Sequence, residues 1–272
     1  MRKDSEYQMR KIIDCHCHIY PEKIAAKAVE SIGRFYDIEM DNNGTLADLK
    51  SAGAAAGITH YLIFSVATTP RQVSSINKFI ADMVAQHPGL MTGLGTLHPD
   101  SLDQAADIDE LIALDLKGVK LHPDIQGIAI DDDRCMKMYE LCEGRLPILF
   151  HTGDFRYDMS NPDRVKHVMD TFPRLKVIGA HFGGWSIWEK ATEELKGYKN
   201  FMVDCSSSLY AISPEVAKRL VREYGAERVL FGTDYPMWRP EEELQRFFAM
   251  GLTDEENELI LHKNAERLFG IE

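Results

Sequence analysis

Short runs of apolar or alternating residues recur along the chain, each followed by a stretch in which apolar positions return at helical spacing. Eight runs read as strands: Ile12–His18, Tyr61–Ser65, Met91–Leu97, Gly118–His122, Ile148–Thr152, Lys176–Ala180, Phe201–Cys205 and Val229–Thr233. The stretches between them carry helix-start signals. Ser101 precedes Leu102–Leu114, Asp131–Asp133 precede Met136–Cys142, Asn161-Pro162 precedes Val165–Met169, and Ser213-Pro214 precedes Val216–Tyr224. Pro240 opens a helix over Glu241–Met250, and Thr253 opens a last one toward His262. Eight strands alternating with helices predict a (β/α)8 TIM barrel. The alternative, a doubly wound open sheet, is disfavoured because no Gly-x-Gly-x-x-Gly follows the first strand.

The connection from His18 to Tyr61 is longer than the rest. It holds a helix near Glu22–Phe35, a turn at Asp41-Asn42-Asn43-Gly44 and a second helix from Thr45. One helix belongs to the outer ring; the other is a small insertion that caps the strand ends. No low-complexity linker interrupts the chain, so residues 1–272 are expected to form a single domain, with 1–10 as a polar tail.

The first strand carries the chemistry in Asp14-Cys15-His16-Cys17-His18. Strand alternation puts His16 and His18 on one face and Cys15 and Cys17 on the other, so the thiols are expected to pack beneath the outer helices. Two imidazoles on one face are half a metal site. Active sites of such barrels lie at the C-terminal strand ends. Six of the 10 histidines fall at predicted strand ends, namely His16, His18, His98, His122, His151 and His181. Lys120 shares a face with His122, and Asp234 follows the eighth strand. Histidine is not a strand-favoured residue, so the concentration points to a site.

Composition adds mostly exclusions. Hydrophobic content of 44% with 27% charged residues is that of an ordinary globular protein. A net charge of -12 gives no basic footprint for nucleic acid or an anionic membrane. The polar start is no signal peptide, and no apolar run approaches a membrane span. Five scattered cysteines fit a reducing cytoplasm better than a disulfide framework.

The ordered set of Asp14-Cys15-His16-Cys17-His18, Gly118-Val119-Lys120-Leu121-His122-Pro123, Phe150-His151-Thr152-Gly153, Gly179-Ala180-His181-Phe182-Gly183-Gly184 and Phe231-Gly232-Thr233-Asp234-Tyr235-Pro236 resembles the amidohydrolase superfamily. The resemblance is to its amidohydrolase-2 branch of metal-dependent barrels, which includes hydrolases, lactonases and decarboxylases similar to aminocarboxymuconate semialdehyde decarboxylase. It implies that His16, His18, His151 and Asp234 bind one divalent ion. Zinc is favoured, manganese and iron share such ligands, and a second metal is not expected. It also implies that His181 orients substrate or stabilises developing negative charge. Lys120, read as a plain ammonium rather than a carboxylated bridging lysine, would attract a substrate anion, and His122 would touch substrate. Arg156, after the fifth strand, could clamp a carboxylate, although a solvated loop arginine is the commoner role.

A divalent ion lowers the pKa of water from about 15.7 toward 7. Asp234 could then accept the water's proton and His181 could hydrogen-bond the oxyanion. This describes hydrolysis of an amide, lactone or ester of a small polar or anionic metabolite, the favoured expectation. Non-oxidative decarboxylation is the alternative on the same ligands. A TatD-like nuclease would want an acidic residue where Lys120 stands, and a full ligand set argues against a non-catalytic barrel. The expected partner is a small molecule, and a homodimer is the common default.

Overall fold

A computed structural model describes residues 11–272; the expected polar tail, 1–10, lies outside the described residues. All eight anticipated strands form, as β1 (Ile13–His18), β2 (His60–Phe64), β3 (Met91–Gly93), β4 (Val119–Leu121), β5 (Ile148–Phe150), β6 (Val177–Gly179), β7 (Phe201–Asp204) and β8 (Val229–Leu230). Every pairing is parallel and in sequence order, within β1-β2-β3 and within β4-β5-β6-β7-β8. The two groups meet at both edges through isolated parallel bridges, Gly95 to Val119 and Cys17 to Tyr235. Cys15 and His18 N–H groups donate to the carbonyls of Phe231 and Tyr235 at 2.9 and 2.7 Å. This is the architecture of the (β/α)8 barrel.

The helices are α1 (Glu22–Tyr36), α2 (Leu46–Ala56), α3 (Val73–Gln86), α4 (Gln104–Ala113), α5 (Pro123–Gln126), α6 (Asp133–Cys142), α7 (Pro162–Thr171), α8 (Trp188–Leu195), α9 (Pro214–Tyr224), α10 (Pro240–Ala249), α11 (Asp254–Glu258) and α12 (Asn264–Phe269). Their starts follow the expected chemistry. Ser213 and Thr253 accept backbone N–H bonds, and Thr253 forms a capping box with Glu256. One start moves: α4 is capped by Asp103, which accepts the Ala106 N–H, while the Ser101 hydroxyl bonds Asp107 instead. Of the two helices after β1, α2 packs on α10 in the outer ring. α1 is the insertion, and its C-terminal end reaches over the strand ends, where Ile32 and Tyr36 line the cavity.

Two apolar layers result. One packs the strands against the helices. The other fills the barrel with Ile13, Leu62, Phe64, Leu94, Leu149, Ile178 and Leu230, with Ala265 and Phe269 of α12 joining it. Here the structure corrects one expectation. Cys17 packs in the outer layer, as alternation predicted, but Cys15 belongs to the barrel interior. The cause is a register shift in β1. Asp14 pairs with Tyr61 and Cys17 with Ile63, so one extra residue of β1 stands opposite Leu62. Such a bulge breaks the period of two, and Cys15 and His16 both turn inward. Cys15 still stays out of the cavity lining.

Candidate metal centre

The strand ends converge on one buried cavity of ≈ 370 Å³, counted out to its open mouth. Its floor is His16, His18, Lys120, His122, His151, His181 and Asp234; its walls are Ile32, Tyr36, Met40, Ile125, Pro236 and Met237. His16 Nε2 and His18 Nε2 lie 3.3 and 3.7 Å from Asp234 Oδ1. Donor atoms of these three residues all fall within 4.8 Å of one another. His151 reaches the same cavity from β5, with Nδ1 3.1 Å from His181 Nε2. Its donor atoms also cluster with those of His122 and Asp124.

The ring hydrogens can be assigned from fixed partners. His16 Nδ1 donates to Asp204 Oδ2 at 2.8 Å, which leaves Nε2 as a lone pair facing the cavity. His181 Nδ1 lies 2.9 Å from the Ser206 carbonyl, which can only accept, so His181 Nε2 is also a lone pair. A neutral His181 therefore offers the cavity an acceptor. Lone pairs of His16, His181 and the Asp234 carboxylate converge, and Lys120 Nζ, 3.2 Å from His16 Nε2, is the one full cation among the lining residues. Buried acceptors facing one another suit a cation between them, so the residues fit a divalent ion.

The electrostatics agree with neutral rings at His18, His122, His151 and His181. Burial pushes His18, His122 and His151 well below the usual histidine range and His181 down to about 4. Burial also brings Lys120 down to about 8, so it is mainly an ammonium at neutral pH. Burial raises the Asp234 carboxyl, but the His16 and His181 rings and the Ser207 hydroxyl outweigh it and hold the carboxyl below its ordinary value.

Local backbone aims these groups. His181, Ser207 and Asp234 have φ of 60, 43 and 59°, in the left-handed region that non-glycine residues avoid. Gly232 is required by close approach: a Cβ there would stand 2.7 Å from His16 Cβ. The glycines after His181 serve packing rather than a ligand, since a Cβ on Gly184 would meet Ala191 Cβ at 2.5 Å.

Some expected residues stand elsewhere. Arg156 is held by Asp154 through several bonds, donates to the Phe35 carbonyl at 2.7 Å, and lies over the rings of Phe35, Tyr36, Tyr157 and Trp185. It fastens the end of α1 rather than lining the cavity. His98 is buried outside the cavity, with Nδ1 accepting the Asp100 N–H. Conversely, sequence reasoning passed over Asp204, Asp124 and Tyr36. Asp204 had a signal, since a carboxylate closing the apolar run of β7 needs a partner. Asp124 directly follows the Lys120–Pro123 motif. Tyr36, at the end of an amphipathic helix, had none.

A (β/α)8 barrel with imidazoles, a carboxylate and a lysine gathered at its C-terminal strand ends defines a metal-dependent barrel enzyme. The chain belongs to the amidohydrolase family, whose model matches residues 13–271. No curated protein sequence matches it. Among solved structures it is similar to the uncharacterised TIM-barrel protein Bb4693 of Bordetella bronchiseptica, at 24% identity and TM-score 0.79, covering 96% of this chain and 98% of that one. It is also similar to a dihydroxybenzoic acid decarboxylase from a Polaromonas species, with bound manganese and the inhibitor 2-nitroresorcinol, at 16% identity and TM-score 0.73, covering 96% and 97%. A candidate 2-pyrone-4,6-dicarboxylic acid hydrolase from Pseudomonas putida matches at 19% identity and TM-score 0.68, covering 96% and 98%. At these identities the likeness is one of fold. Among the described residues, no helix is long and apolar enough to cross a membrane.

Proposed function

We propose that this amidohydrolase-family enzyme hydrolyses an ester, lactone or amide bond of a small carboxylate-bearing molecule, with His16, His18, His151 and Asp234 holding one divalent ion. The observation that carries the reading is the meeting of Asp234 Oδ1 with His16 Nε2 and His18 Nε2, with Lys120 Nζ on the same His16 nitrogen. A divalent ion there would acidify a water and polarise a carbonyl. The chain's own groups divide the remaining work. Asp234 accepts a hydrogen bond from Ser207 through Oδ2, which holds it as a carboxylate able to take a proton from water and return it to the leaving group. The Lys120 ammonium, buried and with no carboxylate in salt-bridge range among the described residues, is placed to receive substrate negative charge. The apolar walls favour a flat, weakly polar substrate body and exclude water from it.

Those walls also favour a second reading, decarboxylation of a small planar acid, the chemistry named for the Polaromonas neighbour. One experiment separates the two. The zinc- or manganese-loaded protein is offered lactones, esters, amides and aromatic carboxylates while acid release and carbon dioxide are followed in parallel. Carbon dioxide evolution without new acid from any ester or lactone refutes hydrolysis; metal binding that survives His16→Ala undiminished refutes the site.

A further inference from the structure

Two buried polar atoms near the cavity lack a partner among the described residues, and each could satisfy the other. His151 Nε2 and Asp124 Oδ1 make no hydrogen bond, and the second Asp124 oxygen, Oδ2, is 3.8 Å from His151 Nε2. Both side chains are almost fully buried. Oδ2 is held in place by the Ser160 hydroxyl at 2.8 Å.

A chain of hydrogen bonds decides which nitrogen of His151 carries the hydrogen. It begins at a backbone donor that cannot reverse. The Ile125 N–H donates to His122 Nδ1 at 3.2 Å, so a neutral His122 carries its hydrogen on Nε2. His122 Nε2 then donates to Tyr36 Oη at 2.6 Å. The Tyr36 hydrogen is thereby turned toward its other ring partner, His151 Nδ1, at 3.3 Å. His151 Nδ1 is then an acceptor, with its hydrogen on Nε2 facing Asp124; His181 Nε2, itself a lone pair, lies 3.1 Å from the same Nδ1, and two lone pairs so placed suit one shared cation. The opposite tautomer would set the bare Nε2 lone pair against a buried carboxylate with no hydrogen between them, an arrangement that costs the desolvation of both. The near-parallel stacking of the His122 and His151 rings, 4.0 Å apart at 5°, keeps the two links in one geometry.

We infer that Asp124 is a positioning residue for His151: it takes the Nε2 hydrogen, fixes the ring, and leaves Nδ1 to face the cavity. At 3.8 Å the pair is beyond hydrogen-bond range, and a small rotation of either side chain closes it. Asp204 already does the equivalent for His16 at 2.8 Å, so the site is served by two carboxylate-held imidazoles on opposite sides of the barrel mouth. The inference rests on the metal reading above, because without an ion the bare His181 Nε2, 3.1 Å away, would draw the His151 hydrogen to Nδ1.

The test has two arms on the full-length protein. Ring ¹⁵N spectra of the zinc-loaded chain, with His151 identified by its loss in His151→Gln, should show hydrogen on Nε2; hydrogen on Nδ1 overturns the proposal. Zinc competition against a chromogenic chelator should show Asp124→Ala weakening affinity about 10- to 100-fold, with Asp124→Asn, whose amide oxygen still accepts, keeping most of it. An alanine variant that binds zinc like the parent overturns the positioning role. If the alanine variant does not fold, the asparagine variant and the parent spectra still decide. A parent chain that binds no zinc or manganese overturns the functional reading and this inference with it, whereas a zinc-loaded parent with hydrogen on His151 Nδ1 overturns the inference alone.

Discussion

Replacing Asp204 should separate the stability of the site from its ability to hold an ion. The carboxylate is fully buried at the end of β7. Oδ2 accepts from His16 Nδ1, and Oδ1 accepts from the His181 N–H at 3.1 Å, the Ser206 N–H at 3.0 Å and the Ser206 hydroxyl. Asp204→Ala leaves the ring N–H only the Ser206 hydroxyl oxygen at 3.1 Å and orphans two buried backbone donors. At about 1–3 kcal/mol for each unmade bond, with relaxation recovering part, the loss should be about 3–5 kcal/mol. Asp204→Asn behaves differently. Its oxygen can still serve the His181 and Ser206 donors, so stability should fall by only about 1–2 kcal/mol. Its NH2 group then faces His16 Nδ1 and demands a lone pair there, which moves the ring hydrogen to Nε2 and blocks that nitrogen. Flipping the amide restores His16 but sets NH2 against two N–H groups, a worse arrangement. Urea unfolding of the metal-free variants and chelator competition for zinc measure the two effects. Asparagine should bind zinc about 10- to 100-fold more weakly while remaining folded. Parent-like zinc affinity in Asp204→Asn, or equal destabilisation by alanine and asparagine, would refute the assignment of His16 Nε2 as the free nitrogen.

Other perturbations have defined outcomes. Gly232→Ala puts a methyl 2.7 Å from His16 Cβ, so it should lower both stability, by about 1–3 kcal/mol, and zinc affinity; a neutral result in both assays counts against the close contact. Arg156→Ala removes the tie between the β5 loop and the Phe35 carbonyl, and hydrogen exchange should quicken at the C-terminal end of α1 while the barrel strands keep their protection; unchanged α1 protection rejects the clamp. Burial raises the Glu243 carboxyl from 4.5 to about 7, with Arg246 opposing. Because the folded value lies above the unfolded one, its stabilising contribution is complete below about pH 4.5 and is lost as pH rises through about 7. Unfolding of Glu243→Gln against the parent should therefore favour the variant increasingly from pH 4.5 to 8, by at most about 3 kcal/mol, less because Arg246 keeps only Glu242 as a carboxylate partner among the described residues, and a pH-independent difference would contradict the buried acid.

The barrel was legible because each strand had to bury both faces, which forces short apolar runs between amphipathic helices whatever the exact boundaries. The site was legible where the chemistry demanded histidine or lysine at strand ends, positions with no packing reason to hold them. What escaped depends on information that periodicity does not carry. Asp124 and Tyr36 matter through a hydrogen-bond chain that joins the α1 insertion to β4 and β5, and no spacing rule links residues 36, 122 and 151. Cys15 was placed on the wrong side of the sheet because alternation assumes an uninterrupted ladder. The extra residue opposite Leu62 breaks that ladder immediately before His16. Its position explains its cost. Asp14 binds back to the Thr233 N–H and hydroxyl at 2.9 and 2.6 Å and to the His16 N–H at 3.1 Å, which pins β1 to the segment carrying Asp234 at the point of the bulge. Without the extra residue, a regular continuation from Ile13 would send His16 and His18 outward to the helices and bring Cys17 inward beside Cys15. The irregularity that defeated the sequence rule is thus what aims both imidazoles at Asp234.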